Sequence, residues 1–301
     1  MNTVSSHRSR TPLVSVGVPV YNAERYLPHA LESLLAQTLS DVEIIVSDNA
    51  STDGTEAICA EFARRDDRIR VIRQSTNIGA PRNWSFVVGE ARGRYFKWAS
   101  GNDWCAPRFL ERCVHALESA PTAVLAHGHT CLVDEDTGYE TIYQGDIAIL
   151  DDRASDRFRR LVRTLALNNA QSGLIRLDVL RRTGLDRPYP AGDLVLMAEL
   201  ALAGQFVLLP EVLLYRRMGG NTFSRLLKGA AAQEFFNPQS SSSNRHSTLR
   251  RHRDYLASIC TARISLREKL RALGFAAHHL FWDLSDVWRD MRERTSSVSR
   301  V

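Results

Sequence analysis

LVSVGVPVYN at residues 13–22 and VEIIVSDNASTD at residues 42–53 decide the reading of this chain. Each opens with a short apolar run rich in β-branched residues and ends in a polar turn. Apolar runs of this length, without polar alternation, mark strands buried on both faces, as in parallel sheets. Between them, Tyr26, Leu27, Ala30, Leu31, Leu34 and Leu35 recur at helical spacing within residues 24–38. The alternation continues with a helix over 55–65, a strand over 69–72, a helix over 81–91, a strand over 95–99, a helix over 107–119 and a strand over 123–126. This pattern predicts an α/β protein, a mostly parallel sheet flanked by helices.

Downstream the pattern predicts a hairpin over 132–144 turning at Thr137 and Gly138, a helix over 152–167 and a strand over 172–177. A helix over 193–203, stopped by Gly204, precedes a strand over 206–215. Residues 237–247 are polar and Ser-rich and read as a linker. Residues 248–295 read as one or two amphipathic helices broken at Gly274. The expected organisation is a flexible N-terminal tail (1–12), the α/β domain (13–228), a linker (229–249) and a helical C-terminal extension (250–295).

Of the 301 residues, 44% are hydrophobic and 24% charged, which excludes a wholly disordered, fibrous or multi-span membrane chain. No apolar run reaches the length of a membrane span, and the polar, basic N-terminus predicts no secretory leader. Five scattered cysteines without a CxxC predict free thiols and a cytoplasmic protein. The net charge of +5 resides in the tail: residues 226–301 hold 13 Lys and Arg against 7 Asp and Glu. Such a tail is expected to pack on the body or on a second copy of the chain, to meet the inner face of a membrane, or to be a solvated helix face. No nucleic-acid partner is expected.

Three signatures are absent: no GxGxxG follows the first strand, and neither GxxxxGK[ST] nor GxSxG occurs. Polar and acidic residues stand at the strand ends instead. They are Pro19, Tyr21 and Asn22 after the first strand, Asp48 to Asp53 after the second, and Ser100 to Asp103 after the fourth. In open α/β sheets the ligand lies beyond these carboxyl ends.

The ordered series VPVYNAERYL, VEIIVSDNASTDGT, NIGAPRNW and the strand leading to Asp103 resembles the family 2 glycosyltransferases with the GT-A fold, over roughly residues 13–217. The resemblance implies an inverting transferase that moves a sugar from a nucleoside diphosphate sugar, a UDP-sugar, to a saccharide or lipid-linked acceptor in polysaccharide synthesis. Asp48 then receives the base N–H, for which a carboxylate is a suitable acceptor. Pro19, Tyr21 and Asn22 cradle base and ribose; Tyr21 packing on the core is the alternative. Arg82 meets the pyrophosphate with its planar fork of donors, in a helix first turn where a cation otherwise opposes the dipole. Asp103 is implied as ligand of a divalent metal, Mg2+ or Mn2+, with the Asn102 carbonyl beside it at the donor site. Asp193 is implied as the catalytic base that takes the acceptor proton. Asp53, Asp103 and Asp193 are each also placed to cap a helix. Where relatives carry further acids and a histidine, this chain has Ser100, Gly101, Asn102 and Met218. The alternative is therefore a catalytically inactive nucleotide-sugar binding or scaffolding relative.

Overall fold

The structure is a computed structural model that describes residues 11–219, 235–238 and 247–298, with side chains up to Asp283. In chain order it runs β1 (Val14–Val20), α1 (Leu27–Leu35), β2 (Val42–Asp48), α2 (Thr55–Arg65), β3 (Ile69–Arg73), α3 (Ala80–Glu90), β4 (Tyr95–Trp98), β5 (Trp104–Cys105) and α4 (Phe109–Ser119). There follow β6 (Ala123–Asp134), β7 (Glu140–Ile142), α5 (Ala154–Thr164), a 3-10 turn (Asn169–Ser172), β8 (Leu174–Arg176), α6 (Leu177–Leu180), α7 (Asp193–Ala203) and β9 (Gln205–Met218). Two helices close the chain, α8 (Ser247–Thr261) and α9 (Leu266–Val298).

One sheet holds all nine strands in the order β3-β2-β1-β4-β8-β6-β9-β5, with β7 paired to β6. β1 pairs in parallel with both β2 and β4, and β2 with β3. Every residue of β1 and β2 is buried, because helices cover both faces. α3 approaches so closely that a Cβ at Gly17 would stand 2.6 Å from Val87 Cγ2. β8 alone in the centre runs the other way, antiparallel to β4 and β6. That reversal brings the start of β8 and the start of α7 to the edge where β1, β2 and β4 end.

Strand β6 extends far beyond the expected four residues, because β9 pairs with it in parallel as far as Asp134 and Met218. α7 is apolar around most of its circumference, with Val195, Leu196, Met197, Ala198, Leu200, Ala201 and Leu202 all buried. Such a helix needs cover on several sides. α5 supplies part of it, and the buried Arg157 of α5 donates to the Ala201 (2.7 Å) and Leu202 (3.2 Å) carbonyls that α7 leaves open at its end. The C-terminal helices supply the rest: Tyr255, Ile259, Ala272 and Ala276 are buried in the same core as Phe158 and Leu196. The tail's apolar face thus packs on the body.

The expected break at Gly274 is not there. Gly274 lies within α9, and the helices part at residues 262–265. Ser265 fixes that start, its Oγ accepting the Glu268 N–H at 3.3 Å, and a side chain at 274 would point into open space. The expected linker falls mostly outside the described residues, and α8 begins within its last three positions. The cysteines are free, and all but Cys260 are buried. Among the described residues no helix is long and apolar enough to cross a membrane.

Candidate functional site

The loops after β1 and β2 are stitched together. Asn22 takes a left-handed conformation (φ +48°), which Asn tolerates better than most residues. Its side-chain oxygen accepts the Thr52 N–H at 2.8 Å, and its own N–H reaches Ser51 Oγ at 2.9 Å. Ala23 N–H donates to Thr55 Oγ1 at 2.8 Å. Asp53 does not cap α2, since Gly54 holds that position; from one residue earlier it accepts from Thr55 N (3.0 Å) and Glu24 N (3.1 Å). Burial pushes its carboxyl up, and those hydrogen bonds outweigh burial and hold it below the usual range.

Asp48 is 1% exposed. Its Oδ1 accepts the Ser51 N–H at 2.9 Å, and its Oδ2 is paired with Arg73. Asn49 reaches across to the loop before α3, accepting the Ile78 N–H at 2.9 Å and donating to Asn77 at 2.8 Å. Gly79 then enters α3 with φ +85°, a conformation that suits glycine, and Arg82 follows on the exposed side of the first turn. Pro19 is buried in β1 beside Ser47, and Tyr21 is half-buried.

Asp103 caps no helix: α4 starts later, with Arg108 at its N-cap position. Its Oδ1 instead accepts the Arg217 N–H at 3.1 Å. Burial pushes the Asp103 carboxyl up, while Arg216, Lys97 and Arg217 pull it down. Oδ2 makes no hydrogen bond among the described residues. One hard oxygen, with the exposed Asn102 amide next to it, fits a divalent ion whose remaining ligands are phosphate and water. The three cations nearby limit how much metal charge the protein alone attracts. Among the described residues, one group of three metal-capable side chains occurs elsewhere: His252, His279 and Asp283 on α8 and α9. Arg251 already occupies that Asp283 carboxylate at 2.9 Å.

Arg217 is pinned. Its guanidinium lies between the rings of Tyr26 (4.5 Å) and Trp104 (4.6 Å), and its Nε donates to the Asn102 carbonyl at 3.0 Å. Arg216 is half-buried and donates to Asn169 Oδ1 at 2.7 Å. Asp193 is the first residue of α7 and does not cap it, since Gly192 holds that position. Its Oδ2 accepts from Asn168 Nδ2 at 2.8 Å, and Oδ1 makes no hydrogen bond among the described residues.

The short segment Asn168 to Ser172 therefore gathers the site. Asn168 holds Asp193, Asn169 holds Arg216, Gln171 reaches Asp186, and the Ser172 carbonyl accepts from Lys97. Sequence reasoning missed this segment and Asp186. The available signal was the amide-rich run NNAQS directly before a buried strand. His127 is buried, with Nε2 3.1 Å from the Ile147 carbonyl, and burial keeps its pKa low; that is a structural arrangement.

α8 braces the segment that leads into Asp193. Tyr189 donates to Asp254 at 2.5 Å, and Ser258 to Glu199 at 2.7 Å. Glu199 in turn pairs with Arg187 at 2.6 Å.

Residues 15–144 match the sequence model of Glycosyl transferase family 2. An uncharacterized glycosyltransferase of Haemophilus influenzae is 30% identical over 223 residues, covering 71% of this chain and 68% of the relative. The uncharacterized glycosyltransferase EpsJ of Bacillus subtilis is 36% identical over 118 residues; the match covers 39% of this chain and only 34% of EpsJ. TarS 1–349 of S. aureus, crystallised with UDP-GlcNAc, superimposes with a TM-score of 0.61 at 18% identity, covering 86% of this chain and 70% of that one. The last likeness concerns the fold: a mostly parallel sheet flanked by helices, with C-terminal helices present. With these matches in hand, the chain belongs to glycosyl transferase family 2.

Proposed function

We propose that the protein transfers a sugar from a nucleoside diphosphate sugar, a UDP-sugar, to a saccharide or lipid-linked acceptor, with inversion at the anomeric carbon. The observation that carries this reading is one continuous chain of contacts. It runs from Asp103 through Arg217 and Arg216 to Asn169, Asn168 and Asp193. A carboxylate with one uncommitted oxygen thereby stands on the same edge as the strand-end loops suited to a nucleotide. The UDP-GlcNAc complex of TarS supports the choice of donor class.

In this reading Asn22, Tyr21 and Pro19 form the wall for base and ribose, and Asp48 accepts the base N–H from beside its Arg73 partner. Arg82, aided by Arg216, stabilises the charge that grows on the leaving diphosphate. A bound divalent ion, held by Asp103 with the Asn102 amide oxygen, would supply further neutralisation of that charge. Asp193 Oδ1 takes the acceptor proton as the hydroxyl attacks, while Asn168 fixes the carboxylate through Oδ2. The acceptor approaches from the side braced by α8.

The test is a thermal-shift screen across UDP-, GDP-, dTDP- and CMP-sugars, followed by donor turnover with and without manganese. A ligand that binds only the native state raises apparent stability. Stabilisation by UDP-sugars and metal-stimulated turnover that Asp103→Ala abolishes is the expected result. Full turnover in excess chelator would overturn the metal assignment. Binding of UDP without turnover on a broad acceptor panel would support the inactive relative, the reading that Met218 in place of histidine favours.

A further inference from the structure

α9 is apolar on two opposite sides. One side carries Ala272, Phe275 and Ala276, which pack into the core of the body. The other side faces solvent. At 3.6 residues per turn, Leu266, Leu270, Ala277 and Phe281 fall within an arc of about 60° that lies opposite the packed side. All four are exposed, and the large ones heavily so: Leu266 by 71%, Leu270 by 60% and Phe281 by 68%. Apolar surface gathered into one stripe is uncommon on a chain that stays single.

The stripe has the spacing of a helix seam. Leu266, Leu270, Leu273, Ala277 and Leu280 alternate at intervals of four and three residues, and the sequence carries the same alternation on through Leu284, Val287 and Met291. A repeat of this kind, sustained for so long, is the pattern of two helices packed side by side. The charge of the helix says how they lie. Residues 266–281 hold Arg267, Lys269 and Arg271 against Glu268, whereas residues 282–298 hold Asp283, Asp286, Asp290 and Glu293 against Arg289, Arg292 and Arg294. The first half is net positive and the second net negative, so two copies attract when they run in opposite directions.

We propose that the outward stripe of α9 is the docking surface for a second copy of this chain, joined as an antiparallel helix pair with its two-fold axis between Ala277 and Leu280. Such a contact is self-complementary, since each copy offers the same patch to the other. In that register Gly274 lies opposite Phe281 of the partner subunit. Gly274 is exposed, and a Cβ there would meet nothing within 4 Å in the single chain. The room that a glycine leaves inside a long helix is then filled by a ring from across the seam. The packed side of α9 and the grip of α8 on Tyr189 and Glu199 are untouched by the pairing. An anionic bilayer matches the stripe less well, because the second half of α9 is net negative. The inference does not depend on the assignment of Asp193.

The experiment measures the mass of the full chain by sedimentation equilibrium across a dilution series, with far-UV circular dichroism as the check on folding. The wild type is expected to be a dimer that dissociates on dilution. The double variant Leu270→Glu, Phe281→Glu is expected to show a twofold loss of mass with its helix content kept, since both side chains are exposed in the single chain. Gly274→Leu is expected to weaken the dimer severalfold by crowding the ring, although leucine is the better helix former. In Arg271→Cys, made with Cys260→Ser and spin-labelled, the antiparallel pair sets the two labels more than about 20 Å apart along the seam, at 1.5 Å of rise per residue. A wild type that is monomeric at every concentration overturns the inference, as does a dimer that survives the double variant. Labels side by side, or a dimer left as tight by Gly274→Leu, overturn the antiparallel register. A monomer whose stripe instead binds phosphatidylglycerol vesicles, and loses them in the double variant, assigns the surface to a membrane and overturns the proposal. Should the double variant fail to fold, Ala277→Arg, at another exposed position of the stripe, takes its place.

Discussion

The edge that carries Asn22, Asp48 and Arg82 and the edge that carries Asp193 are built by different means. On the first, consecutive parallel strands deliver one loop after another to adjacent places, and side chains sew each loop to the next: Asn22 to Thr52, Ala23 to Thr55, Asn49 to Ile78. The family match over 15–144 covers this half. On the second, a reversed strand, a helix start and the C-terminal helices converge from distant parts of the chain. Its bonds join Asn169 to Arg216, Tyr189 to Asp254 and Glu199 to Ser258. Repeating strand–helix units assemble the first edge. Long-range packing assembles the second edge.

Breaking the second edge at its chemistry has the largest expected effect. Asp193→Asn keeps the shape and the Asn168 contact but cannot take a proton. Transfer should drop by about 10²–10⁴ while donor binding, measured calorimetrically, stays intact. A matching loss of donor binding would mean the two edges are not separable. Tyr255→Ala comes next. Tyr255 is buried against Phe158, with ring centroids 5.5 Å apart, and its helix braces the approach to Asp193. The truncation should cost about 3 kcal/mol in denaturant unfolding. Transfer should fall further than donor binding. Equal losses would show that α8 supports the whole domain evenly.

The same contrast decides what was legible in the sequence. Helices over 55–65 and 193–203 stand where apolar spacing placed them, and so do the strands whose ends hold Asn22, Asp48 and Asp103. Period and polar strand ends are local signals, and the first edge is made of them. Asp193 was legible as a helix start, although Gly192 takes the cap position. Asn168, Gln171 and Asp186 were not, because an amide or acid in a loop shows no period and gains meaning only from what faces it. The break between α8 and α9 failed for a related reason: Gly274 looked like a helix breaker, whereas an exposed glycine inside a long helix costs only about 1 kcal/mol.

The first edge is sharpened by Arg82→Ala. If Arg82 meets the diphosphate, the variant should weaken nucleoside diphosphate binding by about 1.5–3 kcal/mol and leave the bare nucleoside nearly unaffected. Equal weakening of both ligands would point to a disturbed α3. Asn22→Ala should do less, about 1 kcal/mol of stability, through loss of the Thr52 hydrogen bond and of a residue that tolerates positive φ. Measured by urea unfolding, its cost should shrink in Asn22→Gly, which regains the backbone freedom but not the bond.

The smallest effect is expected from acid, and it should fall on the second edge. Glu268 ties α9 to α5 by accepting from Ser155 Oγ (2.7 Å) and Ser155 N (3.0 Å), and these bonds with Arg271 hold its carboxyl below the usual range. Burial pushes Asp283 up, but the hydrogen bond from His252 and the charges of His279 and Arg251 outweigh it, so its pKa is also lowered. A carboxyl depressed in the folded state contributes stability above its unfolded pKa, about 4, and that contribution is lost as pH falls through the folded value. Acidification below about pH 4 should therefore loosen α8 and α9 from the body. Asp53 obeys the same sign on the first edge, yet its loop keeps the Asn22 and Ala23 bonds, which do not titrate. Hydrogen exchange at stepwise lower pH, corrected for intrinsic rates, should show residues 247–283 losing protection before residues 42–55. Loss in the opposite order would mean that the tail is held by its apolar face alone, and that its carboxylates only decorate the contact.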